Sequence, residues 1–198
     1  MDRLPLFLDL RGRRVVIVGG GPVAARKLRL LRDAGALVTV VAPELCTELS
    51  RSRATPGFEH VAARFEPAQL DGAWLVIAAT GDAAVNAAVA AAAGERHLWV
   101  NAVDDLAASS AILPSIIDRS PVIVAVSTGG ASPVLARRLR EQLEAVLEHS
   151  LAPLARLLAQ WRSRLLARWP DPAVRRRQVD ALLDGPLPAA LRQSRADL

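Results

Sequence analysis

The chain has no tyrosine, three phenylalanines, three histidines, one cysteine and one lysine among 198 residues. Each shortage excludes something. A single thiol, Cys46, rules out an internal disulfide and a cysteine-cluster metal site, and fits a reducing cytoplasm. His60, His97 and His149 lie far apart without metal-ligand spacing, so each reads as structural or exposed. Aromatic poverty and basic residues spread along helices argue against a nucleic-acid surface. Although 52% of residues are hydrophobic, no apolar run reaches the ~20 residues of a membrane span. The opening Met1-Asp2-Arg3-Leu4-Pro5-Leu6-Phe7-Leu8-Asp9 is acidic near both ends with a short apolar core, which is not the pattern of a signal peptide.

What the chain does hold is arginine and alternating α/β patterning. Net charge is +5, and 24 of the 25 Lys and Arg residues are arginine. This bias fits a GC-rich genome and also an acidic ligand. The length suits one ordinary domain with a smaller companion.

Residues 15–24, Val-Val-Ile-Val-Gly-Gly-Gly-Pro-Val-Ala, carry the strongest motif. Val15–Val18 predicts a buried strand. Gly19, Gly21 and Ala24 form a Gly-x-Gly-x-x-Ala turn opening an amphipathic helix that ends at Gly35. Strand, glycine turn and helix N-terminus together suit a dinucleotide pyrophosphate. The ribose-binding acid expected at the end of strand two is displaced: that strand, Leu37–Ala42, runs into Pro43 and Glu44. No arginine stands at its tip, which leans toward NAD over NADP.

Further strands are expected at His60–Phe65, Trp74–Ala79 and Leu98–Asn101, with an alanine-rich helix over 83–93. Continuous apolar strands alternating with helices predict a Rossmann-type parallel sheet. Thr80 follows the fourth of these strands, at the edge where a nicotinamide ring lies, or it serves the turn that caps the next helix. Asn101 and Asp104 follow the last strand on the same edge. A carboxylate there is suited to proton transfer beside a nicotinamide, or is a surface loop acid, and Asp105 beside it competes for the role.

The pattern changes after Leu113. Ala111–Asp118 and Val122–Ser127 read as a hairpin. Ser127-Thr128-Gly129-Gly130-Ala131-Ser132-Pro133 is a second glycine turn, with Ser132 as N-cap and Pro133 at the first helical position. The helix it opens runs to about His149 and carries Arg137, Arg138 and Arg140, which face an acidic ligand or solvent. Leu151, Leu154, Leu158, Trp161 and Leu165 mark a packing seam, and a last helix starts at Asp171-Pro172. The tail Arg192–Leu198 reads as frayed. The domains expected are 1–113, a Rossmann domain; 114–149, a small α+β segment; and 150–198, a helical part.

Taken together, these motifs resemble the precorrin-2 dehydrogenase/sirohydrochlorin ferrochelatase module of siroheme synthase. The resemblance is carried by Leu4-Pro5-Leu6-Phe7, Gly19-Gly20-Gly21 with Ala25-Arg26-Lys27, and Ala78-Ala79-Thr80. It continues through Asn101-Ala102-Val103-Asp104, Pro114-Ser115-Ile116-Ile117-Asp118-Arg119 and the 127–133 turn. It implies NAD-dependent oxidation of precorrin-2 to sirohydrochlorin and insertion of Fe²⁺ as a substrate to give siroheme. A dehydrogenase without chelatase activity is the alternative. It implies a homodimer, with 114–149 as its dimerisation segment and the active site in a cleft between domains; composition has already pointed to a cytoplasmic protein with no nucleic-acid or membrane partner. The family's key carboxylate falls on Asp104, as base in dehydrogenation and proton acceptor in chelation. The resemblance puts the NAD-contacting positions at Pro22, Val23, Pro43 and Glu44, beside Gly19, Gly20, Gly21 and Thr80. Asn101, Ser127, Thr128, Gly129, Gly130 and Arg137 are expected to hold the tetrapyrrole, and no residue is expected to hold a resident metal. Thr128 stands where relatives often carry serine. The sequence ends at Leu198 without a methyltransferase domain, as expected of a stand-alone enzyme or a piece of a longer one.

Overall fold

The computed structural model describes residues 1–185, 187 and 188; the tail read as frayed lies outside them. The chain divides into two compact units, Met1–Leu113 and Pro114–Leu198.

In the first unit, β1 (Arg14–Val18), β2 (Leu37–Val41), β3 (Phe58–Val61), β4 (Leu75–Ala78) and β5 (Trp99–Ala102) form one parallel sheet in the order β3-β2-β1-β4-β5. The order reverses between β1 and β4, which opens a crevice at the carboxyl edge where doubly wound sheets bind ligands. The strands are apolar on both faces because both are covered. Val15, Ile17, Val38, Val40, Leu75 and Ile77 pack under α1 (Pro22–Asp33), which buries Ala24, Ala25, Leu28 and Leu31. Val16, Val18, Val41, Val76, Ala78 and Val100 pack on the other face with Val89, Ala92 and Ala93 of α3 (Ala83–Glu95). A short α2 (Thr47–Arg51) follows β2.

Two strands begin away from where they are expected. The third strand is Phe58–Val61 and not His60–Phe65. Its ladder partner β2 ends at Val41, paired to Val61, so nothing remains for residues 62–65 to pair with. The strand expected from Ala111 begins at Ser115. Residues 109–111 instead seal the open edge of β5: Ser109 Oγ accepts from the Ala102 amide and Ser110 Oγ from the Val100 amide, each at 2.9 Å. The Ala111 amide donates to the Val100 carbonyl at 2.9 Å. Such capping removes an unpaired strand edge.

In the second unit, β6 (Ser115–Arg119) and β7 (Val122–Val126) form an antiparallel hairpin through a cis Ser120–Pro121 bond. Three helices follow: α4 (Pro133–Val146), α5 (Leu151–Arg168) and α6 (Pro172–Leu183). Ser132 caps α4, accepting from the Leu135 amide, and Asp171 caps α6. The α4 helix stops at Val146, short of His149. Among the described residues of this unit, Ile117, Ala136, Ser150 and Leu154 alone are buried, whereas Ile123, Val134, Leu135 and Val146 are exposed. A two-stranded ribbon buries too little to be stable by itself.

Candidate functional site

The glycine turn is built by two close approaches. A Cβ on Gly19 would collide with the Ala79 carbonyl, and one on Gly20 with the Glu44 carbonyl. Gly19 also takes φ +128°, a conformation that disfavours side chains. Its amide donates to the Val41 carbonyl at 2.9 Å, and the Cys46 amide donates to the Gly20 carbonyl at 2.8 Å. The ends of β1, β2 and β4 are thereby stitched around the turn.

Gly21 is different. A Cβ there would meet no protein atom within 4 Å. It is the N-cap of α1, with no side-chain cap over the first helical amides, and Pro22 opens the helix. Open space at the uncapped, electropositive end of a helix fits a dinucleotide pyrophosphate. Val23 packs against the core beside the turn.

Pro43 and Glu44 are exposed at the tip beyond β2, where an adenosine ribose would lie. His60 braces that tip: its Nε2 lies 2.9 Å from the Ala42 carbonyl and its Nδ1 2.8 Å from Arg53 Nη2. Because the guanidinium only donates, Nδ1 accepts and Nε2 carries the hydrogen. The sequence assigned His60 no site role, and its work here is structural.

Thr80 lies at the crevice with its side chain turned inward. Its single hydroxyl hydrogen is within reach of Asn86 Oδ1 at 2.8 Å and the Asp82 carbonyl at 2.9 Å. Asn86 completes a clasp, accepting from the Thr80 amide at 3.1 Å and donating to the Thr80 carbonyl at 3.1 Å. Asp82 caps α3 by accepting from the Ala84 and Val85 amides. Asn86 was not singled out from sequence; an asparagine one turn into a helix carries no special signal.

The two adjacent acids separate cleanly. Asp105 is spent on its own turn, accepting from the Ala108 amide at 3.0 Å, while its carbonyl accepts from Ser109 Oγ at 2.7 Å. Asp104 has no hydrogen-bond partner among the described residues, is exposed, and takes φ +60°. A non-glycine residue in the left-handed region is uncommon and clusters at functional sites. Asn101, on β5, donates from Nδ2 to the Ala111 carbonyl at 3.0 Å, leaving its side-chain oxygen available.

Lys27, on the second turn of α1, is half-buried. Burial holds its ammonium below the usual lysine range; Arg26 lowers it further, and the Asp104 carboxylate acts in the opposite sense. Sequence reading assigned Lys27 no role. Its signal was composition: one lysine in a chain that otherwise uses arginine.

The second group of predicted residues lies in the second unit. Gly129 and Gly130 take φ +65° and +91°. The Gly129 amide donates to Ser127 Oγ, and Thr128 Oγ1 accepts from the Ser132 amide at 3.1 Å while lying 3.1 Å from its carbonyl. Of the α4 arginines, Arg140 pairs with Glu144, which also takes Arg119. Arg137 and Arg138 are exposed and without an ion-pair partner among the described residues.

Among the described residues, no three His, Cys, Asp or Glu side chains gather as a metal-binding group, and no helix is long and apolar enough to cross a membrane.

Residues 6–115 match a putative NAD(P)-binding family, 120–145 the central region of a sirohaem biosynthesis protein, and 150–198 the sirohaem synthase dimerisation region. The chain is 49% identical over 197 residues to a siroheme synthase of Sodalis glossinidius, covering 100% of this chain and 42% of that protein. It is 52% identical over 168 residues to a siroheme synthase of Photorhabdus laumondii, covering 85% and 36% respectively. The chain thus spans less than half the length of these relatives. Among solved structures it is similar to SirC, precorrin-2 dehydrogenase, with a TM-score of 0.75 and 26% identity, covering 98% of this chain and 96% of that one. The chain belongs to the siroheme synthase family, of which it carries the NAD(P)-binding, central and dimerisation regions.

Proposed function

We propose that this chain oxidises precorrin-2 to sirohydrochlorin with NAD⁺ and then inserts Fe²⁺, a substrate, to give siroheme. The observation that carries the reading is Asp104: an unpartnered carboxylate held at φ +60° on the sheet edge that also bears the open Gly21 cradle. The similarity to siroheme synthases and to a precorrin-2 dehydrogenase supports the substrate.

NAD⁺, when bound, supplies the hydride acceptor. The chain's own groups do the rest. The α1 N-terminus and Gly21 receive the pyrophosphate, Pro22 and Val23 flank it, and the Pro43–Glu44 tip lies toward the ribose. The backbone at Glu44 and Gly20 fixes that tip. Thr80 and Asn86 shape the β4–α3 turn beside the nicotinamide position. Loss of hydride from precorrin-2 is matched by loss of a proton, which Asp104 accepts. Chelation releases two pyrrole protons as the metal enters, and Asp104 serves again. The tetrapyrrole's many carboxylates are suited to guanidinium groups; of the two α4 arginines without an ion-pair partner among the described residues, Arg137 is the one assigned here, with the 127–130 turn and its Ser127, Thr128, Gly129 and Gly130. Asn101 offers its free side-chain oxygen to the macrocycle.

The exposed apolar face of α4, with Val134, Leu135 and Val146, supports a homodimer, as does the matched dimerisation region. We place the enzyme in the cytoplasm, where the lone Cys46 stays reduced.

The test is anaerobic precorrin-2 with and without NAD⁺, followed by absorbance. NAD⁺-dependent formation of sirohydrochlorin supports the reading, and NAD⁺ binding without turnover overturns it. A dehydrogenase without chelatase activity is the second reading. It is favoured by the likeness to SirC, precorrin-2 dehydrogenase, over 96% of that protein's length. Sirohydrochlorin with Fe²⁺ or Co²⁺ in the absence of NAD⁺ decides between them: no rate above the uncatalysed background removes the chelatase step.

A further inference from the structure

Asp104 is the third residue of a tight turn, Ala102 to Asp105, closed by the Asp105 amide donating to the Ala102 carbonyl at 3.3 Å. A third position with φ above zero ordinarily goes to glycine or asparagine. An aspartate at φ +60° therefore stays there only if its surroundings hold it. The holding group is Ser109, which is buried. Its Oγ accepts from the Ala102 amide at 2.9 Å and lies 2.7 Å from the Asp105 carbonyl and 3.1 Å from the Ala102 carbonyl. The hydroxyl has one hydrogen, which the shorter contact takes. It thus accepts at the first residue of the turn and donates at the last, so one buried atom grips both ends. Ser109 is itself fixed from two sides: its amide donates to the Leu106 carbonyl at 3.3 Å, and Arg3 Nη1 donates to its carbonyl at 3.1 Å. Its neighbour Ser110 accepts from the Val100 amide and has no hydrogen bond to the turn among the described residues.

We infer that Ser109 is the positioning residue of Asp104: its hydroxyl locks the 102–105 turn, keeps the backbone of Asp104 left-handed and so fixes the direction from which the carboxylate meets a reacting proton. The inference rests on the reading of Asp104 as the proton acceptor, and extends it to a hydroxyl with no assigned role. An exposed carboxylate on a loose turn samples many directions, and proton transfer then carries the cost of choosing one. A turn clamped at both ends has met that cost on folding. Ser109 acts through the backbone, so it needs no contact with the substrate.

The first arm of the test is a thermal double-mutant cycle on the full chain. Asp104→Gly relieves the left-handed strain and should raise the melting temperature of the otherwise unaltered protein. In a Ser109→Ala background, where the turn is free to leave φ +60°, the same change should give no rise. An equal rise in both backgrounds, or none in the unaltered one, overturns the inference whatever the enzyme does. The second arm is kinetic. Ser109→Ala should lower kcat for precorrin-2 roughly tenfold or more with KM for NAD⁺ little changed. Ser110→Ala is the control for stability alone: it removes an acceptor from the same strand edge without freeing the turn, and should keep kcat. Full kcat in Ser109→Ala, or an equal loss in Ser110→Ala, overturns the inference. If the unaltered protein does not oxidise precorrin-2, the functional reading fails, and the thermal cycle still decides whether Ser109 holds Asp104 in its conformation.

Discussion

The backbone of Gly20 lies so close to the Glu44 carbonyl that no Cβ fits between them. This contact and the open space beside Gly21 make two adjacent glycines do different work. Gly20→Ala should destabilise the protein by about 1–3 kcal/mol, the usual cost of overpacking, because backbone and not a flexible side chain is in the way. Gly21→Ala should leave the melting temperature unchanged and weaken NAD⁺ binding at least tenfold, since the added methyl enters the ligand's space alone. Thermal denaturation and calorimetric titration with NAD⁺ separate the two. Equal loss of stability in both variants would show that Gly21 is not a ligand cradle.

The clasp between Asn86 and Thr80 involves both the side chain and the backbone of Thr80. Asn86→Ala leaves the Thr80 amide and carbonyl without this partner, while the hydroxyl keeps the Asp82 carbonyl, and should cost about 1–3 kcal/mol. A fall in melting temperature together with weaker NAD⁺ binding is expected, because the turn it shapes borders the crevice. Thr80→Val, which keeps the shape and loses the hydroxyl, should reproduce part of the stability loss.

The two neighbouring acids make opposite predictions. Asp105→Ala removes the acceptor for the Ala108 amide and should lower stability by about 1 kcal/mol while the folded enzyme still turns over. Asp104→Asn should keep its melting temperature and NAD⁺ affinity and lose dehydrogenation. Asp104→Gly should be slightly more stable than the parent, by up to ~1 kcal/mol, because glycine adopts φ +60° without strain. Near-normal turnover in Asp104→Asn would move the proton acceptor elsewhere.

Lys27 also predicts a pH signature. Its folded-state affinity for protons is depressed by burial, by Arg26 less so, with Asp104 opposing. Between its lowered folded pKa and the ordinary value of 10.5, the unfolded chain binds the proton more tightly, so stability attributable to this group rises with pH through that window. At pH 7 the charged lysine is a net cost to folding. Lys27→Met should therefore raise the melting temperature at pH 7, with the gap narrowing as pH approaches the ordinary lysine value. A lower melting temperature at pH 7 would show that Lys27 serves stability.

Much of this was legible in the residues, for identifiable reasons. Val15–Val18 and the glycines after it are read correctly because local strand propensity, turn chemistry and helix capping all agree there. The hairpin after Pro114 and the caps at Ser132 and Asp171 follow from the same local rules. Long-range partners were not legible. The third strand shifts to Phe58–Val61 because β2 sets its length, and Ala111 leaves the expected strand to join Ser109 and Ser110 in sealing β5. The inward turn of Thr80 depends on Asn86, six residues away across a turn. The difference between Asp104 and Asp105 appears only when Asp105 is seen holding the Ala108 amide.

The most direct measurement is anaerobic oxidation of precorrin-2 by the purified protein with NAD⁺, run beside Asp104→Asn. The account predicts NAD⁺-dependent formation of sirohydrochlorin by the unaltered protein and none by the variant, with both binding NAD⁺ equally. Tight NAD⁺ binding without turnover in either protein would contradict it.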